Sequence, residues 1–414
     1  MGMRRLRRLE LDRADVLGER IARGESIAGW VIQGIDLRSI DLPRNLKNTL
    51  FIGCTFRDAS HEVSLRARGA DIFPEFDNLP YDPYRARLYT VGELLEGIAD
   101  GYVHTRDFTI FRHFDQERNH KMGVPIREAL AQRLHDHAIE DALDEVISDL
   151  GRKGVVGVMG GHSIRRDDPY YRKVAHTAWQ LTRAGYLVAS GGGPGIMEAA
   201  NLGAYLASYS NDAAVDAAIA ILSVAPMFDG GQEEGTTAYL NAIEDYIHMG
   251  RQVCSTFFGA QSDAKAAKYG REDSMPGQSL AIPTWFYGHE PTNLFGLQVA
   301  KYFSNSLRED GLLALSDAGV IYAPGSAGTL QEVFMDLAQN HYATFKVRSP
   351  MVFLGSEVYG DVVSLIDGFV ARRGMSEIYG DMITMLDEPD EILAFIQSHP
   401  PRPRTEQKPL YDLV

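Results

Sequence analysis

From Gly154 onward, short apolar runs rich in β-branched residues alternate with stretches of helical periodicity. That alternation restricts the chain to a mainly parallel sheet covered by helices on both faces. Strands are expected over residues 155–159, 186–189, 218–224, 280–287, 319–323 and 351–354. Helices are expected around 171–184, from Ile196, over 294–315, and from the turn that leads to Glu332. Six strands with interleaved helices make an α/β, doubly wound, mostly parallel sheet, whose ligands lie beyond the carboxyl ends of the strands. Between residues 226 and 277 the alternation breaks into a polar, partly helical segment headed by Gly230, Gly231 and Gly235. It reads as an insertion near the mouth of the cleft, either a lid or a passive surface excursion or oligomer contact.

The first third of the chain differs. Ile35, Asp36 and Leu37 nearly repeat as Ile40, Asp41 and Leu42, and residues 50–56 have a related look. Two or three copies are too few for a solenoid, so a small β-rich piece is expected. A loop-rich stretch with Pro74, Pro80 and Pro83 follows, then a helical pattern over 124–150. Residues 1–150 thus form a smaller α+β accessory domain and 151–390 the sheet domain, with the insertion at 226–277. Residues 391–414, with Pro400, Pro401 and Pro403, read as an extended C-terminal tail.

At 414 residues, 45% hydrophobic and 23% charged, two soluble domains with a sizeable core are the natural expectation. No apolar stretch is long enough to span a bilayer, and the basic start, residues 1–13, lacks the apolar segment of a signal peptide. A cytoplasmic location is therefore expected. Cys54 and Cys254 are too few for a disulfide framework or a cysteine-based zinc site. The net charge of −15 disfavours nucleic acid and anionic membranes as partners, so a phosphorylated ligand would need a local positive site.

Two glycine-rich turns offer one. Pro324, Gly325, Ser326, Ala327, Gly328 and Thr329 join an apolar run to a helix. Gly191, Gly192, Gly193, Pro194 and Gly195 do the same ahead of Ile196 and Met197. Such turns present free N–H groups and the positive end of a helix dipole to an anion. Thr329 followed by Glu332 also fits a capping box, a purely structural alternative. The dinucleotide fingerprint lacks its third glycine, since Ile196 stands there, and the turn at Gly325 lacks the Gly-Lys-Ser/Thr ending of a Walker loop. Ser326 is not at the centre of a nucleophile elbow. His135 and His137 point to different faces of a helix and are expected to be solvated or capping. Glu198, in a first helical turn, is expected as a dipole-favoured surface acid, and Met197 as core or a base-stacking wall. Gly161 and His162, just past the first strand of the sheet, lie at the same edge as the glycine turns.

Together, residues 190–201 and 324–332 resemble the LOG (LONELY GUY) family of nucleotide-binding proteins, often labelled lysine decarboxylases. The family motif PGGxGTxxE appears as PGSAGTLQE, with Ser326 in place of the second glycine. The likeness covers about residues 150–370, and the length and extra N-terminal part are similar to the long nucleotide 5′-monophosphate nucleosidases of that superfamily. It implies a Rossmann-like core and hydrolysis of the N-glycosidic bond of a purine or cytokinin-type nucleoside 5′-monophosphate to free base and ribose 5-phosphate. No metal and no cofactor are implied. A homo-oligomer, dimer or higher, is, with the N-terminal part capping or regulating the cleft.

By the same resemblance Glu332 is the catalytic acid residue and Arg308 its partner. Nucleotide and phosphate contacts fall to Gly161, His162, Gly191, Gly192, Gly193, Gly195, Met197, Pro324, Gly325, Ser326, Gly328 and Thr329. Where the family carries His-Glu-Arg-Lys, this chain has His289, Glu290, Pro291 and Thr292, which leaves Glu290 and Arg251 as further candidates. Related folds also carry nucleotides or molybdenum cofactor without hydrolysis, the alternative reading. A pyridoxal-phosphate decarboxylase is disfavoured because neither turn holds a lysine.

Chemistry independently suits these residue types. Departure of a base leaves an oxocarbenium-like sugar, which a carboxylate can stabilise while it orients or deprotonates water. An arginine can bind phosphate or fix that carboxylate.

Overall fold

The computed structural model describes residues 10–73, 76–149, 152–260, 262–345, 347–372 and 381–403. Of the sequence expectations, those on residues 1–9, Pro74, Leu150 and 404–414 lie outside the described residues. Contacts divide the chain into two compact units, Met1–Leu88 with Gln116–Glu145, and Tyr89–Asp115 with Val146–Val414.

In the first unit β1 (Glu10–Leu11), helix α1 (Ala14–Ala22), β2 (Val31–Gln33), β3 (Leu50–Ile52), helix α2 (Ala59–Ala67) and β4 (Asp71–Phe73) follow in turn. The strands lie in the order β1-β2-β3-β4, all parallel, with Ile32, Phe51 and Ile72 in register. Because alternate strand residues face opposite sides, these three point together into a core shared with Leu17, Leu37, Leu46 and Leu65. Residues 35–37 and 40–42 both lie in the connection between β2 and β3, where an Asp36–Thr55 bridge continues the pairing, and 40–42 forms no strand.

Helices α3 (Val91–Leu94), α4 (Arg106–Arg118) and α5 (Ile126–Asp149) come next in the chain. The second unit then runs β5 (Val155–Met159), α6 (Pro169–Arg183), β6 (Leu187–Ser190), α7 (Ile196–Tyr205), α8 (Ala213–Leu222), α9 (Thr237–Phe258) and α10 (Asp263–Tyr269). It continues through β7 (Ser279–Ala281), β8 (Gln298–Val299), α11 (Asn305–Leu315), β9 (Gly319–Tyr322) and α12 (Ala327–Tyr342). β10 (Val347–Arg348), β11 (Met351–Leu354), α13 (Ser356–Arg372), β12 (Ile383–Leu386), α14 (Pro389–Ser398) and β13 (Arg402–Pro403) complete it. Seven strands take the order β12-β11-β9-β5-β6-β7-β8, with every neighbouring pair parallel. β10 and β13 form a separate antiparallel pair. All five residues of β5 are buried, as an apolar run in a doubly covered sheet must be.

The chain leaves β5 through β6, β7 and β8 on one side, then returns to place β9, β11 and β12 on the other. The loops after β5 and β9 therefore open side by side at the switch point, where α/β sheets bind ligands. Gly161 N–H donates to Pro324 O and Ala323 N–H to Met159 O, tying those two loops together.

Several sequence expectations are corrected. Residues 218–224, expected as a strand, belong mostly to α8, whose Ala214, Val215, Ala218 and Leu222 are buried at helical spacing. The five alanines of α8 favour helix over strand. The strand expected over 280–287 stops at Ala281, and the helix expected over 294–315 begins only at Asn305, with edge strand β8 before it. The segment 226–277 is partly helical, as expected, but is not a surface excursion throughout. It contains the 22-residue α9, whose Val253 and Phe257 join the main core. Residues 391–398, read as the start of a tail, lie in α14, with Ile392 and Ile396 in that same core.

Candidate functional site

α12 starts at Ala327 with Ser326 as its cap residue, and no side chain caps it. The capping box is thus not formed: Thr329 sits inside the first turn and Glu332 in the second, because the helix begins ahead of Thr329. Leu330 N–H returns to Ser326 O, so the N–H groups of Ala327, Gly328 and Thr329 have no intrahelical acceptor. Gly325, Ser326, Ala327 and Gly328 are exposed. Gly325 is required by packing, since a methyl group there would lie 2.2 Å from Thr329 Oγ1.

The turn after β6 is built differently. Residues 191–195 are buried, and much of their backbone is already engaged. Gly192 N–H donates to Ser190 Oγ, Asn293 N–H to Gly192 O, and Asn293 Nδ2 to Gly193 O. Gly192 N–H, expected to hold phosphate, is therefore committed to Ser190. Gly195 has a φ of 66° and packs against Gly161 O and His162 O, where a side chain would collide. Gly191 is covered by Met197 Sδ and Arg308 Nη2.

Arg308 on α11 is buried and not a solvated helix end. Its Nε donates to Ile282 O at 3.0 Å, Nη2 lies 3.5 Å from Gly191 O, and Nη1 lies 3.6 Å from Glu332 Oε1. Glu332 is likewise buried, and burial pushes its carboxyl up to about 7 although Arg308 pulls the other way. Glu309 adds to the rise. Glu309 accepts from Asn305 Nδ2 and from Gln331 Nε2, linking α11 to α12 beside the pair.

Glu290 accepts from His162 Nδ1 at 2.9 Å, and its side chain is 11% exposed against 51% for His162. That contact holds the imidazolium and raises the His162 pKa, against the opposing effect of burial. A cleft of about 290 Å³ is lined by Gly191, Gly193, Met197, Glu290, Lys301 and Arg308, among others. Arg251 is exposed on α9 and lines no part of it. The structure thus gathers Arg308 with Glu332, Glu290 with His162, and both glycine turns around the loops after β5 and β9, and leaves Arg251 apart.

Two buried charge networks escaped the sequence reading. Glu198 is fully buried, not a surface acid: Arg166 grips both its oxygens at 2.6 and 2.8 Å, and Tyr171 and Tyr246 donate to it. A first-turn position favours an acid whether it faces water or core, so position alone did not distinguish them. Arg166 also holds Ala225 O and Tyr246 O, and so anchors the chain leading to Phe228. In the second network, Lys301 at the cleft donates to Asp107 and Thr292, and Trp285 Nε1 also donates to Asp107. His135, expected to be solvated, is fully buried against Asp136, while His137 is exposed. No group of three or more His, Cys, Asp or Glu side chains among the described residues is placed to hold a metal. No helix among them is long and apolar enough to cross a membrane.

No protein-family model and no curated protein matches the chain. Among solved structures it is similar to the molybdenum cofactor binding protein of the phototrophic bacterium Rippkaea orientalis, at 14% identity and a TM-score of 0.32 over 60% of this chain and 98% of that one. It is similar to the Moco carrier protein of Chlamydomonas reinhardtii at 13% identity and a TM-score of 0.32, over 60% of this chain and 97% of that one. The structural-genomics target TM1055 gives 17% identity and a TM-score of 0.33, over 59% of this chain and 99% of that one. Likenesses this distant assign no residue a role, and the roles argued below rest on geometry and chemistry.

Proposed function

We propose that this chain hydrolyses the N-glycosidic bond of a nucleoside 5′-monophosphate, releasing free base and ribose 5-phosphate. The observation that carries the reading is the buried Arg308–Glu332 pair, 3.6 Å apart, with Glu332 on the helix whose exposed N-terminus begins at Ala327. In this reading the N–H groups of Ala327, Gly328 and Thr329 take the 5′-phosphate, helped by the helix dipole. The sugar lies between them and Glu332. As the C1′–N bond lengthens, positive charge develops on the sugar. An ionised Glu332 stabilises it and accepts a proton from the attacking water. Arg308 holds the carboxylate in place and keeps part of its population ionised near neutral pH.

The test is to incubate the protein with a panel of nucleoside monophosphates and follow free base and ribose 5-phosphate, alongside Glu332→Gln and Arg308→Ala. The expected result is base release by the unaltered protein, lowered on the order of a hundred- to a thousandfold by either substitution. Nucleosides without phosphate should react poorly. Tight nucleotide binding with no base release from any of them would instead make the protein a carrier.

A further inference from the structure

We propose that a second cavity of this unit, lined by His162, is the base pocket of that reaction, and that His162 is the acid that protonates the departing base. The inference rests on the hydrolase reading above.

The cavity is walled by Ile164, Pro194, Met227 and Phe228, with His162, Asp229 and Tyr246 as its titratable members, the Tyr246 hydroxyl being taken up by Glu198. Flat apolar walls with a few polar groups suit a heterocyclic base. Its Pro226–Phe228 wall is held by Arg166, whose Nη1 donates to Ala225 O at 3.2 Å. Glu290 lines the neighbouring cleft with Arg308, and His162 lines this cavity, so their 2.9 Å contact marks the junction of the two. Glu332 reaches the neighbouring cleft through Arg308, 3.6 Å away, and in the proposed pose the sugar faces Glu332 while the base enters this cavity past His162. The edge of the imidazole meets the Phe228 ring at 6.4 Å and 85°, which orients it within the wall. Asp229 accepts from Gly231 N–H through one oxygen and presents a carboxylate to the amino or ring N–H groups of a purine.

With Nδ1 donating to Glu290, the proton to be transferred is the one on Nε2. The C1′–N bond breaks with its electron pair going to the base, and a base ring nitrogen takes the Nε2 proton. The water oxygen bonds to C1′, and its proton goes to Glu332. His162 ends neutral and Glu332 protonated, and exchange with solvent restores both. The charged groups facing His162 are Glu290 and Asp229, which favour the imidazolium. His289 lies 4.0 Å from Glu290, and Arg165 reaches Met227 Sδ on the cavity wall.

The experiment compares the full chain with His162→Gln on two substrates: AMP, whose base needs a proton to leave, and 7-methylguanosine 5′-monophosphate, whose base leaves without one. The variant is expected to lose about a hundredfold or more in kcat on AMP and less than about tenfold on the methylated nucleotide. It should also lose the alkaline fall of the AMP pH profile while keeping the acid limb set by Glu332. Equal losses on both substrates, or an unchanged alkaline limb, would overturn the assignment and leave the hydrolase reading standing. No base release from either substrate by the unaltered protein would overturn both. His162 is half exposed, so the substitution should leave the melting temperature unchanged, which is checked in parallel.

Discussion

Asp336 lies one helical turn beyond Glu332 and is buried, and among the described residues no cation pairs with it. Its oxygens accept from Tyr322 OH at 2.8 Å and Asn340 Nδ2 at 3.0 Å. Burial pushes its carboxyl up to about 7, and the tyrosine hydrogen bond offsets only part of that rise. The folded state therefore holds a proton that the unfolded chain releases near 4. Stability from this group is complete below about pH 4, falls as the pH rises from there to about 7, and is flat above. Asp336→Asn removes the titration. In denaturant melts from pH 4 to 8, the unaltered chain is expected to lose up to about 4 kcal/mol relative to the variant over that window. A difference independent of pH would show that Asp336 is ionised throughout. Glu332 was legible because its motif spacing survives in the sequence. Arg308 was named beside it only through the family resemblance, since taken alone it reads as a solvated helix end, and Lys301 was not legible because its partner Asp107 lies 194 residues away.

The helices and strands that position the site were read most reliably where burial is two-sided and punctuated by glycine, as in β5, β9 and the starts of α7 and α12. They were misread where composition, not periodicity, carried the signal, as in the alanine-rich α8. The contact between the β6–α7 turn and α11 makes a prediction of its own. A methyl group at Gly191 would stand 2.6 Å from Arg308 Nη2 and from Met197 Sδ. Gly191→Ala should therefore push the guanidinium off Glu332 without substituting either member of the pair, and lower kcat/KM for base release on the order of a hundredfold. Gly311→Ala is the control. It lies on α11 itself with nothing within 4 Å of the added methyl, so activity should hold while the helix gains about 0.5–1 kcal/mol in denaturant unfolding. Similar activities in the two variants would show that Arg308 tolerates displacement.

The sheet unit is not continuous in the chain, since residues 89–115 belong to it although they precede α5. Tyr89 exchanges backbone hydrogen bonds with Val299 of edge strand β8, and Asp107 on α4 accepts from Lys301, Thr292 and Trp285. Lys301 is 1% exposed, so its ammonium depends on that carboxylate. A fragment beginning at Val146 keeps the whole seven-stranded sheet but strands a buried cation, a loss of about 3–5 kcal/mol when one partner of such a pair is removed. It should melt well below the full chain or fail to fold. The cause can be isolated in the full chain with Asp107→Asn, Lys301→Met and the two combined. Each single change leaves one charge buried alone and should lower the denaturation midpoint. The double change removes both charges and should recover most of the loss, a coupling of about 1–3 kcal/mol. Additive losses would mean that α4 stabilises the sheet through packing alone, and that the cation at the cleft tolerates isolation.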